Sequence, residues 1–112
     1  MDEFVSEIVE ALTIELEATD PRFNANVLEV KVRNAIREVR QRRNYPTTWS
    51  EAKVTTDLQN YYSTIINLAR YDYNQIGAEG ETQHQESGVT RHYQNREELF
   101  QSVFAFVTVL SN

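Results

Sequence analysis

Residues 26–43 read Asn26-Val27-Leu28-Glu29-Val30-Lys31-Val32-Arg33-Asn34-Ala35-Ile36-Arg37-Glu38-Val39-Arg40-Gln41-Arg42-Arg43. Leu28, Val32, Ala35, Ile36 and Val39 recur at three- and four-residue steps, which places them on one stripe of a helix. Asn26 followed by Glu29 has the spacing of a capping box, so the spacing predicts a helix over 26–43. On its polar side Arg33, Arg37 and Arg40 stand at i, i+4 and i+7 and form one ridge, extended at the helix end by Arg42 and Arg43. Cations in the last turn also suit the negative end of the helix dipole.

The same periodicity extends outward in both directions. Phe4, Val5, Ile8, Val9, Leu12 and Leu16 mark a helix over 3–18, opened by the acids Asp2 and Glu3 and ended by Asp20-Pro21. Downstream, Asn44-Tyr45-Pro46-Thr47 breaks the chain, and Thr48 with Glu51 offers a capping box for a helix over 49–76. Val54, Leu58, Tyr61, Tyr62, Ile65, Leu68, Ala69, Tyr73 and Ile76 are its expected buried side, with Gly77 as a left-handed cap. Residues 77–93 carry all three glycines and both histidines and little periodicity, so a long polar loop is expected, with a short extended piece or hairpin at Val89 to Tyr93. Asn95 and Glu98 then suggest a last helix over 96–110, with Leu99, Phe100, Val103, Phe104, Phe106, Val107 and Leu110 covering most of its circumference. So apolar a helix is expected to enter the core and also to dock onto another chain. The expected fold class is all-α: one domain over 1–112, a small bundle of about four helices.

Composition agrees with that plan. The chain of 112 residues is 40% hydrophobic and 25% charged with two prolines, the balance of a folded helical domain. It contains no cysteine, which excludes disulfides, thiolate metal sites and cysteine nucleophiles together. No basic leader and no long apolar run is present, so neither export nor a membrane span is expected. The charge of -6 is unevenly spread. Residues 1–20 hold seven acids and no base, residues 21–43 hold seven bases and two acids, and the remainder holds eight acids and four bases. Such segregation suggests an acidic surface meeting a basic one, within one chain or between copies, on a protein that as a whole repels DNA.

Chemistry is harder to place. Gly77-Ala78-Glu79-Gly80-Glu81 sets its glycines beside acids that would repel a phosphate, and no lysine follows. His84, Glu86 and His92 lack the spacing of a metal site, and no serine elbow accompanies the two histidines. Glu97-Glu98 and the pair Glu15 and Glu17 fit solvated helix faces better than paired catalytic carboxylates. No enzyme activity, cofactor or metal is therefore expected. The arginine ridge has three readings: a solvated or intrachain face, a contact with an acidic helix of another subunit, or a nucleic-acid surface. The second reading makes Glu7, Glu10, Glu15, Glu17, Arg33, Arg37, Arg40 and Arg43 candidate subunit contacts. The third allows a small DNA-binding regulator using helix 26–43, and a generic helical interaction domain is a further alternative. Most of the tyrosines and phenylalanines keep helical spacing, as core and interface anchors do.

The run Asn67-Leu68-Ala69-Arg70-Tyr71-Asp72-Tyr73-Asn74-Gln75-Ile76-Gly77-Ala78-Glu79-Gly80-Glu81, followed by His84, Glu86, Gly88 and Arg91, resembles the signature of head-tail connector (adaptor) proteins of tailed bacteriophages and prophages. The apolar ending after Leu99-Phe100 is similar as well. Ser87 stands where an asparagine often precedes the glycine, and His92-Tyr93 replaces a tryptophan-containing pair. The resemblance implies a helical virion protein made in the bacterial cytoplasm and assembled as a ring of about a dozen copies at the portal vertex. The partners it implies are the chain itself, the portal protein and a tail-side stopper or tail completion protein, with DNA passing through the channel without specific binding and no membrane involved. Glu79, Glu81, His84, Glu86, Arg91, Tyr93, Phe104, Phe106, Val109 and Leu110 are then the candidate portal or neighbour contacts. A ring needs two different complementary faces, which an acidic first helix and a basic second helix can supply.

Overall fold

The structure is a computed structural model and describes residues 1–80 and 96–106, residues 76–80 by their backbone alone. Among the described residues the fold is all-α, with no strand. Helix α1 spans Asp2–Glu17, α2 spans Ala25–Arg43, α3 spans Glu51–Leu58 and α4 spans Tyr62–Gly80. Short 3-10 turns occupy Gln59–Tyr61 and Arg96–Phe100.

The apolar stripes become the core. Phe4, Val5, Ile8, Leu12 and Leu16 of α1 meet Leu28, Val32, Ala35, Ile36 and Val39 of α2, and both meet Ile65, Leu68, Ala69 and Tyr73 of α4. Helix α2 lies centrally, packing most extensively on α4 and next on α1. Val54 and Leu58 of α3 and Phe100 of the last turn complete the cluster. Leu99 and Val103 pack partly against it.

The connection between α1 and α2 is held by Tyr73. Its hydroxyl accepts a hydrogen bond from the Asn24 amide at 3.0 Å and donates to Asp20 at 3.2 Å, while its ring lies 5.9 Å from that of Phe23. A residue of α4 thereby fixes the angle at which α2 departs. The cap of α2 is consequently Asn24 and not Asn26: Asn24 is extended (φ -127, ψ 109) and its side chain accepts from the Val27 amide. At the other end Asn44 adopts the left-handed conformation (φ 55, ψ 56), which asparagine tolerates, and its amide returns to the Arg40 carbonyl.

Four further expectations are corrected. The cap of α3 is Ser50, which accepts from the Lys53 amide, rather than Thr48. The expected single helix over 49–76 is divided at Gln59–Tyr61. Thr55 and Thr56 return their hydroxyls to the carbonyls of Glu51 and Ala52, an arrangement that bends helices, and the chain tightens immediately afterwards. Gly77 does not end the helix; α4 continues to Gly80, because one glycine weakens a helix by about 1 kcal/mol relative to alanine without requiring it to stop. The expected loop from residue 77 thus begins no earlier than residue 81.

The last helix over 96–110 is a 3-10 turn followed by non-helical chain over 101–106. The backbone bonds explain why. After two turn bonds, from the Gln101 amide to the Glu98 carbonyl and from the Val103 amide to the Phe100 carbonyl, the Phe106 amide donates to the Arg43 carbonyl and the Phe104 carbonyl accepts from the Arg43 guanidinium, so the chain leaves the turn and is tied to the end of α2. The polar loop beyond Gly80, the extended piece at Val89 to Tyr93, the cap at Asn95 and residues 107–110 lie outside the described residues.

Candidate subunit interface

The arginines of α2 divide into two groups by what they touch. Arg40 makes a two-pronged pair with Glu51 at 2.9 and 3.0 Å, and Arg42 does the same with Glu97 while lying 3.6 Å above the Phe100 ring. Arg43 is the most enclosed, with a side chain 11% exposed. It grips Asp57 at 2.9 and 3.2 Å and the Phe104 carbonyl at 2.6 Å, and its guanidinium faces the rings of Tyr45, Tyr61 and Phe106. Tyr45 donates to the same Asp57 carboxylate at 2.6 Å. Burial pushes the Tyr45 phenol far above its ordinary range, and that hydrogen bond adds to the shift. From the last turn Arg96 reaches back to Asp72 of α4 and Glu38 of α2, which together hold it firmly charged.

Arg33 and Arg37 are placed differently. Arg33 pairs with Glu29 one turn earlier on the same helix, both side chains 46% exposed, and Arg37 donates to Asn34. Among the described residues Arg37 has no carboxylate partner. Beside them lies a groove of about 350 Å³ lined by Met1, Val5, Ile36, Arg33, Arg37 and Arg40. A second depression of about 560 Å³ shares Arg37 and Arg40 and runs on past Tyr45, Pro46, Trp49 and Val54. The result is a channel with an apolar floor and a guanidinium rim.

The acids of α1 do not pair with this rim. Glu15 forms a two-pronged pair with Arg70 of α4 at 2.7 and 3.0 Å, and those hydrogen bonds hold its carboxyl below the usual range. Glu7, Glu10 and Glu17 are exposed and have no partner among the described residues. Of the eight candidate subunit contacts, Glu15, Arg40 and Arg43 are therefore tied to other helices and the exposed Arg33 and Arg37 only to neighbours on α2, whereas Glu7, Glu10 and Glu17 are exposed without a partner among the described residues.

Of the other candidate contacts, Phe104 is 68% exposed, and Phe106 is half-buried with its ring 4.7 Å from that of Trp49, edge to face. Glu79 lies in the last turn of α4. Glu81, His84, Glu86, Arg91, Tyr93, Val109 and Leu110 are outside the described residues. Periodicity alone overlooked two exposed apolar side chains, Ile14 at 70% and Val30 at 54%. Each had a signal: an aliphatic residue standing off the stripe of its own helix. No group of acids and histidines suited to a metal occurs among the described residues, and no helix there is long and apolar enough to cross a membrane.

Comparison with known proteins returned no matching family model, curated protein or solved structure.

Proposed function

We propose that the chain is a non-enzymatic structural subunit of the head-tail connector kind, which assembles as a ring at the portal vertex of a tailed phage, extends the DNA channel and docks the next tail-side protein. The observation that carries the assembly part is a pair of oppositely charged outer faces: on α1 Glu7, Glu10 and Glu17, exposed and without a partner among the described residues, and on α2 Arg37, which has no carboxylate there, beside Arg33, whose exposed pair is with Glu29 of the same helix. The connector part comes from the run Asn67 to Glu81, whose residues 67–80 form the C-terminal part of α4. An acidic total suits a channel that lets DNA pass, because tight binding requires phosphates to be neutralised by Lys and Arg.

Light scattering of the purified chain, alone and mixed with the portal protein of the same genome, tests the reading. A ring-sized mass, alone or with portal, is the expected result; a chain indifferent to portal at every concentration sinks it. The DNA-binding alternative on helix 26–43 has weaker support, since Arg40, Arg42 and Arg43 already serve carboxylates of the same chain. Affinity for duplex DNA that falls steeply with salt would favour it instead.

A further inference from the structure

We infer that copies of this chain join head to tail, with Ile14 of one copy seated in the groove of Met1, Val5 and Ile36 of the next and with Glu10 and Glu17 facing Arg33 and Arg37. The inference rests on the reading of the chain as a self-assembling subunit and names the surfaces by which it assembles. Ile14 is a large aliphatic side chain left 70% exposed. On the helix surface its neighbours at i-4 and i+3 are Glu10 and Glu17, and Glu7 continues the same ridge. The outer face of α1 is thus an apolar knob set among carboxylates.

The groove has the opposite character, an apolar floor under guanidinium groups. Its rim includes Arg37, which has no carboxylate among the described residues, and Arg33, whose pair with Glu29 is exposed, hence weak and readily exchanged. Val30 lies on the same ridge, one turn before Arg33 and two before Arg37, and extends the apolar surface at 54% exposure.

Knob and groove cannot meet within one copy. Val5 and Ile14 are nine residues apart on α1, which is ~13 Å along the axis and ~180° around it. One copy therefore offers the knob on one side and the groove on the other. A contact between unlike patches of identical chains is heterologous, and repeated it generates a ring or a filament. The occupant is a second copy because the α1 ridge supplies carboxylates, for Arg37 and in exchange for the exposed Glu29 at Arg33, together with an aliphatic side chain for the apolar floor. Duplex DNA would supply only charge.

The test uses two variants of the full chain, E10R/E17R and R33E/R37E, with helicity checked by circular dichroism and mass followed by sedimentation from micromolar to millimolar protein. The wild type is expected to reach a multiple of the 13.1 kDa chain. Each variant alone should stay at single-chain mass, and their equimolar mixture should recover the wild-type mass, since arginine knobs then meet glutamate grooves. Variants that associate like the wild type overturn this interface while leaving self-assembly standing. A wild type that stays at single-chain mass overturns the inference, whereas the connector reading falls only if portal also fails to change that mass. Capture of duplex DNA through Arg33 and Arg37 with no change in mass would overturn it in favour of a nucleic-acid surface.

Discussion

Arg42 and Arg43, at the end of α2, are held by Glu97, Asp57, a backbone carbonyl and the faces of aromatic rings. Arg33 and Arg37, roughly one and a half to three turns earlier on the same helix, meet only Glu29 and Asn34 close by in sequence and border an open groove. The residue type and helix are the same in both cases. The difference lies in what the rest of the chain brings to each end: α3 and the segment 96–106 bring carboxylates, a carbonyl and rings to one, whereas at the other Met1 and Val5 of α1 border the groove and, among the described residues, no carboxylate reaches Arg37. Charge alone does not distinguish an arginine that closes a fold from one left outside it; the return of the chain does.

The anchored end is expected to respond most to mutation. Phe100 is 4% exposed and lies under Arg42, so Phe100→Ala should cost about 3 kcal/mol, read from the urea midpoint. A loss below about 1 kcal/mol would mean that the last turn is not part of the cooperative unit, and the contrast between the two ends would collapse. Arg43→Met comes next, at about 2 kcal/mol, because it leaves the partly enclosed Asp57 carboxylate without its cation, with only the Tyr45 hydroxyl donating to it, and the Phe104 carbonyl without the Arg43 donor. Adding Asp57→Asn to that variant should recover part of the loss if the unpaired carboxylate is its source.

Acid probes the same contrast from the carboxylate side. Hydrogen bonds from Arg40 and Arg42 hold Glu51 and Glu97 below the usual carboxylate range, as Arg70 does for Glu15. A folded-state pKa below the unfolded one contributes stability that is complete at neutral pH and is lost as pH falls through the folded value. The melting temperature should therefore decline below about pH 4.5, and Glu51→Gln should make that decline shallower. Exposed pairs such as Arg40 with Glu51 contribute under about 1 kcal/mol, so the change is smaller than that of Arg43→Met. Arg37→Ala should have the smallest effect on the fold of a single chain, within about 0.5 kcal/mol. A larger loss would show that the open end of α2 also stabilises the subunit.

The sequence disclosed the core more fully than the charge pairing. Leu28, Val32, Ala35, Ile36 and Val39 are all buried as their spacing predicts, because a stripe is a local property of one helix. The cap at Asn24 was misplaced by two residues because Tyr73, 49 positions away, decides where α2 begins. The partners of Arg42, Arg70 and Arg96 lie 24 to 58 residues off, and no periodicity within a helix encodes such a choice. The non-helical chain after Phe100 escaped for the same reason: its apolar residues have helical spacing, but Arg43 takes up the Phe104 carbonyl and the Phe106 amide. Of the proposed interface, the acids and arginines were legible. The knob at Ile14 and the groove beneath the arginines needed the fold.

One corner of the molecule offers a natural optical signal. Trp49, the chain's single tryptophan, stacks on Tyr45 at 5.3 Å, meets Phe106 edge to face and lies 4.5 Å beneath the Lys53 ammonium. Its emission thus responds to whether the chain after Phe100 is seated against α2. A red shift that precedes loss of helical signal on heating would record the release of that segment before the bundle melts, with no label attached.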